Sequence, residues 1–91
     1  MSSINLYKKE NEASSYIDAT ITDKGDLQII RNSFGPGDFE TEVTAAVSKT
    51  DKDQLLLALL QKIYAGNKNA LEDIVTFARS KNIIVQTFRW P

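Results

Sequence analysis

The sequence predicts an α+β fold: a two-layer sandwich with a mainly antiparallel four-stranded sheet and two helices on one face. Three observations predict it. Residues 16–22 and 39–48 alternate apolar and polar with period two, residues 50–82 switch to helical spacing, and residues 83–90 return to a β-rich run. Period-two alternation marks strands with one wet face. Amphipathic helices need an apolar surface to cover, which assigns both element types to one layered body. The expected order is β-β-β-α-α-β in a single domain over 1–91. Residues 1–14 read as irregular, an arm or a short edge strand, because Ile4, Leu6 and Tyr7 follow no period.

The first predicted strand covers 16–22. Ile17, Ala19 and Ile21 take one face, and Tyr16, Asp18, Thr20 and Thr22 the other. Asp23-Lys24-Gly25-Asp26 supplies a turn, with Gly25 free to take positive φ. A second strand follows over 27–31, which makes an antiparallel hairpin. Residues 32–38, ending in Gly-Pro-Gly-Asp, break the pattern. The third strand spans 39–48, with Phe39, Thr41, Val43, Ala45 and Val47 opposed to Glu40, Glu42, Thr44, Ala46 and Ser48.

Thr50 is the expected cap of the first helix, with Asp51 and Asp53 in its first turn, where the dipole favours negative charge. Its stripe is Leu56, Leu59, Leu60 and Ile63, widened by Leu55 and Tyr64, and Gly66 suits the position after its end. Asn69 with Glu72 has the spacing of a capping box. Leu71, Ile74, Val75 and Ala78 form the second stripe, and Asn82 is placed to close that helix. The β-rich run Ile83–Trp90 is expected as the last strand.

Charge is unevenly placed. The chain carries 11 Lys plus Arg against 12 Asp plus Glu, a net charge of −1. Residues 10–53 hold ten acids and four bases, or −6, whereas 54–91 carry +3 and 1–9 carry +2. Such asymmetry concerns partners rather than fold. A sequence pI near 5.3 weighs against nucleic acid as a partner. With no Cys, there is no disulfide framework or thiolate metal site, and with no His the usual general base and transition-metal ligand are missing. No apolar run approaches the roughly 20 residues of a membrane span. The polar N-terminus lacks the centre of a secretory signal. The expectation is therefore a cytoplasmic protein with no membrane partner.

Motifs for catalysis are weak. Glu40 and Glu42 share the polar face of their strand, and Asp18 is expected on the same face. Three such acids could meet a basic protein surface, hold Mg²⁺ or Ca²⁺, or remain merely solvated. The acids around Gly25 do not follow the calcium-loop pattern, and Ser33-Phe34-Gly35-Pro36-Gly37 leads into a strand instead of a helix, unlike a phosphate cradle. No catalytic residue, metal site or cofactor is assigned. Phe34, flanked by glycine, either tucks into the core or is presented to a partner.

Gly25-Asp26-Leu27, Phe34-Gly35, Phe39-Glu40 and Asp53 with Leu55-Leu56-x-x-Leu59-Leu60 together resemble a group of small bacterial proteins. In that group a Gly-Asp-Leu strand precedes an aromatic-plus-Glu strand, a Leu-rich helix and a terminal strand with aromatics. Several members look like immunity proteins of polymorphic toxin systems, including contact-dependent growth inhibition. Here Ser33 stands where relatives often have an acid before the glycine. The resemblance implies a non-enzymatic protein that neutralises a cognate toxin domain, often a basic nuclease, by forming a complex. No functional residue transfers on that basis. The surface expected from the charge pattern is Asp18, Phe34, Asp38, Glu40 and Glu42. The alternative is a homodimeric accessory or regulatory domain using Leu57 of the Leu-rich helix or an edge strand at 83–90. A carboxylate-dependent metal hydrolase ranks last. In solution, a monomer or a weak homodimer is expected.

Overall fold

The structure, a computed structural model, describes residues 2–11, 13–35 and 40–90. It forms two compact units, 1–56 and 57–91. The first unit is a four-stranded antiparallel meander of β1 (Ser2–Lys9), β2 (Ser14–Ile21), β3 (Leu27–Phe34) and β4 (Glu40–Val47), in that spatial order. The fold is thus α+β with four antiparallel strands, but the order is β-β-β-β-α-α. Two expectations are corrected together: the fourth strand comes from the N-terminal arm, and residues 83–90 form no strand. The Ile83–Trp90 run has strand-forming side chains, yet a strand exists only where a neighbour accepts and donates its ladder bonds.

The arm escaped the period-two reading because β1 is bulged. Asn5 stands opposite Asp18 and Tyr7 opposite Ile17, so Leu6 is the extra residue. The bulge reverses the face on which odd and even residues fall. Ile4 before it and Tyr7 after it share a face, which a strict alternation cannot do.

Register sorts the side chains cleanly. One face carries the rows Ser2-Ile21-Leu27-Val47, Ile4-Ala19-Ile29-Ala45 and Tyr7-Ile17-Arg31-Val43. The opposite face carries Ser3-Thr20-Gln28-Ala46, Asn5-Asp18-Ile30-Thr44 and Lys8-Tyr16-Asn32-Glu42. The expected division of 16–22 and 40–47 into apolar and polar faces holds. β3 runs three residues beyond the expected end, through Asn32, Ser33 and Phe34, because all three pair on both sides. Among the described residues none is fully buried, and the most shielded positions lie in the central strands β2 and β3.

The β2–β3 turn matches its expectation and gains a clamp. Gly25 has φ +91°, and its N–H donates to the Thr22 carbonyl at 2.9 Å. The Lys49 N–H donates to Asp26 Oδ1 at 2.8 Å, and Lys52 Nζ to the Gly25 carbonyl at 2.7 Å. A Cβ on Gly25 would meet Lys49 Cδ at 3.2 Å.

Helix α1 covers Lys52–Tyr64 and α2 covers Ala70–Ser80. Ser48, not Thr50, receives the first free donors of α1. Its carbonyl accepts from Asp51 and Lys52 at 3.0 and 2.9 Å, and its Oγ accepts from Asp51 at 3.2 Å. In α1 the shielded apolar residues are Leu55, Leu60 and Tyr64, while Leu56, Leu59 and Ile63 are exposed. Leucines cover so much of this helix that spacing does not single out one face. Gly66 ends it at φ +81°, as expected.

Asn69 makes no side-chain cap bond, so the capping box does not form. Asn67 does the work instead: its Oδ1 accepts from Asn69 N–H at 2.8 Å, and its Nδ2 donates to Asp73 at 2.9 Å. Asn82 closes α2 at φ +61°. The Ile83 N–H reaches the Ala78 carbonyl at 3.0 Å and the Asn82 N–H the Arg79 carbonyl at 3.1 Å, a Schellman closure with Asn where Gly is usual.

Candidate protein-interaction surface

The non-apolar face of the sheet is built by alternation and then aligned by register. Glu40 and Glu42 are two apart on β4, so both project from this face about 7 Å apart along the strand. Glu40 stands opposite Phe34 and Glu42 opposite Asn32. Asp18 falls on the same face, because it is opposite Ile30, which is opposite Thr44. Asp18 lies two strands from β4, so about 10 Å of lateral spacing separates it from the glutamates. The register therefore brings Asp18, Phe34, Glu40 and Glu42 to one face. Asp38 lies outside the described residues.

The carboxylates differ in their surroundings. Glu40 and Glu42 are exposed. Asp18 is half-buried, and its Oδ1 accepts from Asn5 Nδ2 at 2.9 Å. Asn5 Nδ2 also lies within bonding distance of the Tyr7 and Ile17 carbonyls, at 3.0 and 3.3 Å. One oxygen of Asp18 is thus occupied in stapling the bulge of β1. Among the described residues no group of three acidic side chains converges closely enough to hold a metal ion. An open, spaced set of charges suits long cationic side chains from another protein better than a small ion, which needs its ligands at 2.0–2.6 Å.

Phe34 is 39% exposed and meets Tyr16 edge-on, with ring centroids 6.2 Å apart and planes at 73°. Neither of its expected fates describes it fully: the ring is seated on a neighbour and still open to solvent. Such a braced aromatic loses little side-chain entropy on binding. Tyr16 is the residue that sequence reasoning left out of the site. Its signal was present, since alternation puts it on the face of Asp18. Its hydroxyl donates to Glu10 Oε1 at 3.5 Å, and Glu10 also pairs with Lys8 at 3.2 Å. Lys8 and Glu10 thereby add a neutralised corner beside the acids.

Comparison with known proteins found no matching family model, no matching curated protein and no matching solved structure.

Proposed function

We propose that this chain is a non-enzymatic protein-binding domain, an immunity protein that neutralises a cognate bacterial toxin domain by direct, stoichiometric contact. The observation that carries the reading is the placement of exposed Glu40 and Glu42 on one sheet face beside the braced, exposed Phe34. Acids of this kind steer a basic partner and fix its orientation, while a central aromatic supplies apolar contact. Asp18 adds to the field of the face, and Asp38, outside the described residues, is proposed as a further acid for the partner. The partner is a basic toxin domain, a nuclease being the class that suits these charges. The setting is the cytoplasm; among the described residues no helix is long and apolar enough to cross a membrane. The reading retains the two-layer arrangement, with α1 and α2 over the apolar rows of the sheet. The deciding experiment is co-purification with the product of the adjacent gene, together with co-expression in cells. A 1:1 complex and rescued growth are expected. Absence of both overturns the reading.

A second reading, a homodimeric accessory domain, is favoured by a separate observation. Leu57 is 60% exposed, and Ile84, Phe88 and Trp90 are 91%, 88% and 96% exposed. Apolar side chains so open mark contact surfaces. Sedimentation at micromolar concentration tests it, and a strict monomer removes it.

A further inference from the structure

On the apolar face, the last cross-strand row departs from the others. Lys9, Ser15, Ser33 and Thr41 stand opposite one another across all four strands. A cavity of about 360 Å³ opens at this end of the sheet, with Tyr7, Lys9, Ser14, Ser15, Ser33 and Phe34 in its wall. That volume falls within the roughly 300–1,000 Å³ of small-molecule sites. On this face the lining residues are Tyr7, Lys9, Ser15 and Ser33, three hydroxyl-bearing side chains and one ammonium, and among the described residues the lining holds no carboxylate. Among the described residues, none of those hydroxyls nor Lys9 Nζ has a hydrogen-bond or ion-pair partner. Lys8, one position earlier, projects from the opposite face and is engaged by Glu10 at 3.2 Å. Arg31 shares the face of Lys9 and lies two residues, about 7 Å, from Ser33 along β3.

A largely apolar wall that carries an ammonium and a few hydroxyls, with no carboxylate among the described residues, suits a ligand that joins an apolar body to a negatively charged, acceptor-rich group. A phosphate group has three terminal oxygens, enough for an ammonium and two hydroxyls on adjacent strands at once. The Tyr7 ring, 47% exposed, offers an apolar surface to whatever the phosphate carries. We propose that this cavity binds a small phosphorylated organic molecule, its phosphate held by Lys9, Ser15 and Ser33. The proposed phosphate ligands Lys9, Ser15 and Ser33 lie on the opposite face from Glu40 and Glu42, and Phe34 at the rim is the one residue shared with the toxin-binding reading, so Lys9→Ala and Ser33→Ala test this proposal without touching that surface.

The test is titration of the ¹⁵N-labelled protein with phenyl phosphate, followed by amide chemical shifts, with phenol as the uncharged probe. Saturable shifts centred on Lys9, Ser15 and Ser33 are expected with phenyl phosphate and not with phenol. Lys9→Ala should raise the dissociation constant about tenfold and Ser33→Ala about threefold, as for loss of charged and neutral donors. Lys8→Ala should leave it unchanged. Shifts that do not saturate, or equal weakening by Lys8→Ala and Lys9→Ala, would overturn the site in favour of diffuse charge attraction.

Discussion

β1 and β4 are the two edges of one sheet, and they are finished in opposite ways. β1 is bulged at Leu6, stapled there by Asn5, and ends in Lys8 and Lys9. β4 pairs without interruption over all eight residues and carries Glu40 and Glu42. Bulges and lysines are the usual means of keeping an edge from pairing with another chain. β4 has neither. An uninterrupted ladder holds two acids on one face at fixed spacing, which a bulge would scatter. The contrast teaches that the blunted edge resists unwanted pairing, while the regular one holds its charges in a geometry that another protein can read.

The largest effect should come from reversing charge on the regular edge. The double change Glu40→Lys with Glu42→Lys is expected to weaken the proposed toxin complex about 100-fold, near 2.7 kcal/mol, by calorimetry. Lys8→Glu with Lys9→Glu should alter it less than about threefold. Equal effects from the two edges would dissolve the contrast. Next, Asn5→Ala removes an amide nitrogen whose two hydrogens are shared among three acceptors at the bulge, and should cost about 1.5–2 kcal/mol in urea unfolding followed by circular dichroism. A loss under about 0.5 kcal/mol would mean that the bulge is set by backbone pairing alone. Asp18→Ala removes only one of those three acceptors and should cost about 1 kcal/mol by the same measurement. The smallest change is Ser3→Ala, in the straight part of β1. It loses one exposed hydroxyl pairing with Thr20, 2.9 Å long, and about 0.5 kcal/mol or less.

The difference between the edges also separates what the sequence makes legible from what it conceals. Strands β2 and β4 announce themselves by alternation, because Ile17, Ala19 and Ile21, or Val43, Ala45 and Val47, must all point one way. β1 obeys the same rule until Leu6 shifts its phase, and a shifted phase looks like no phase at all. The placement of Asp18 with Glu40 and Glu42 was inferable once the meander was assumed, since register follows from short turns. The Tyr16–Phe34 contact was not, because it joins diagonal neighbours on two strands. Residues 83–90 mislead for a different reason. Ile83, Ile84 and Val85 carry a strong local preference for extended backbone, but pairing is a property of two segments and is not written in either one. At the helix starts, Ser48 and Asn67 replaced Thr50 and Asn69 because a cap is chosen by where the chain turns, and several polar residues stood within reach.

Trp90 is the sole tryptophan of the chain and is 96% exposed. A solvated indole emits in the same way whether the sheet is folded or melted. Tryptophan emission is therefore silent about the stability of β1–β4, which is why circular dichroism must follow the unfolding of the variants above. The silence is useful in a binding experiment. With the background fixed at the water-exposed wavelength, a blue shift on adding a partner or raising the concentration reports one event, the removal of the 83–90 segment from water.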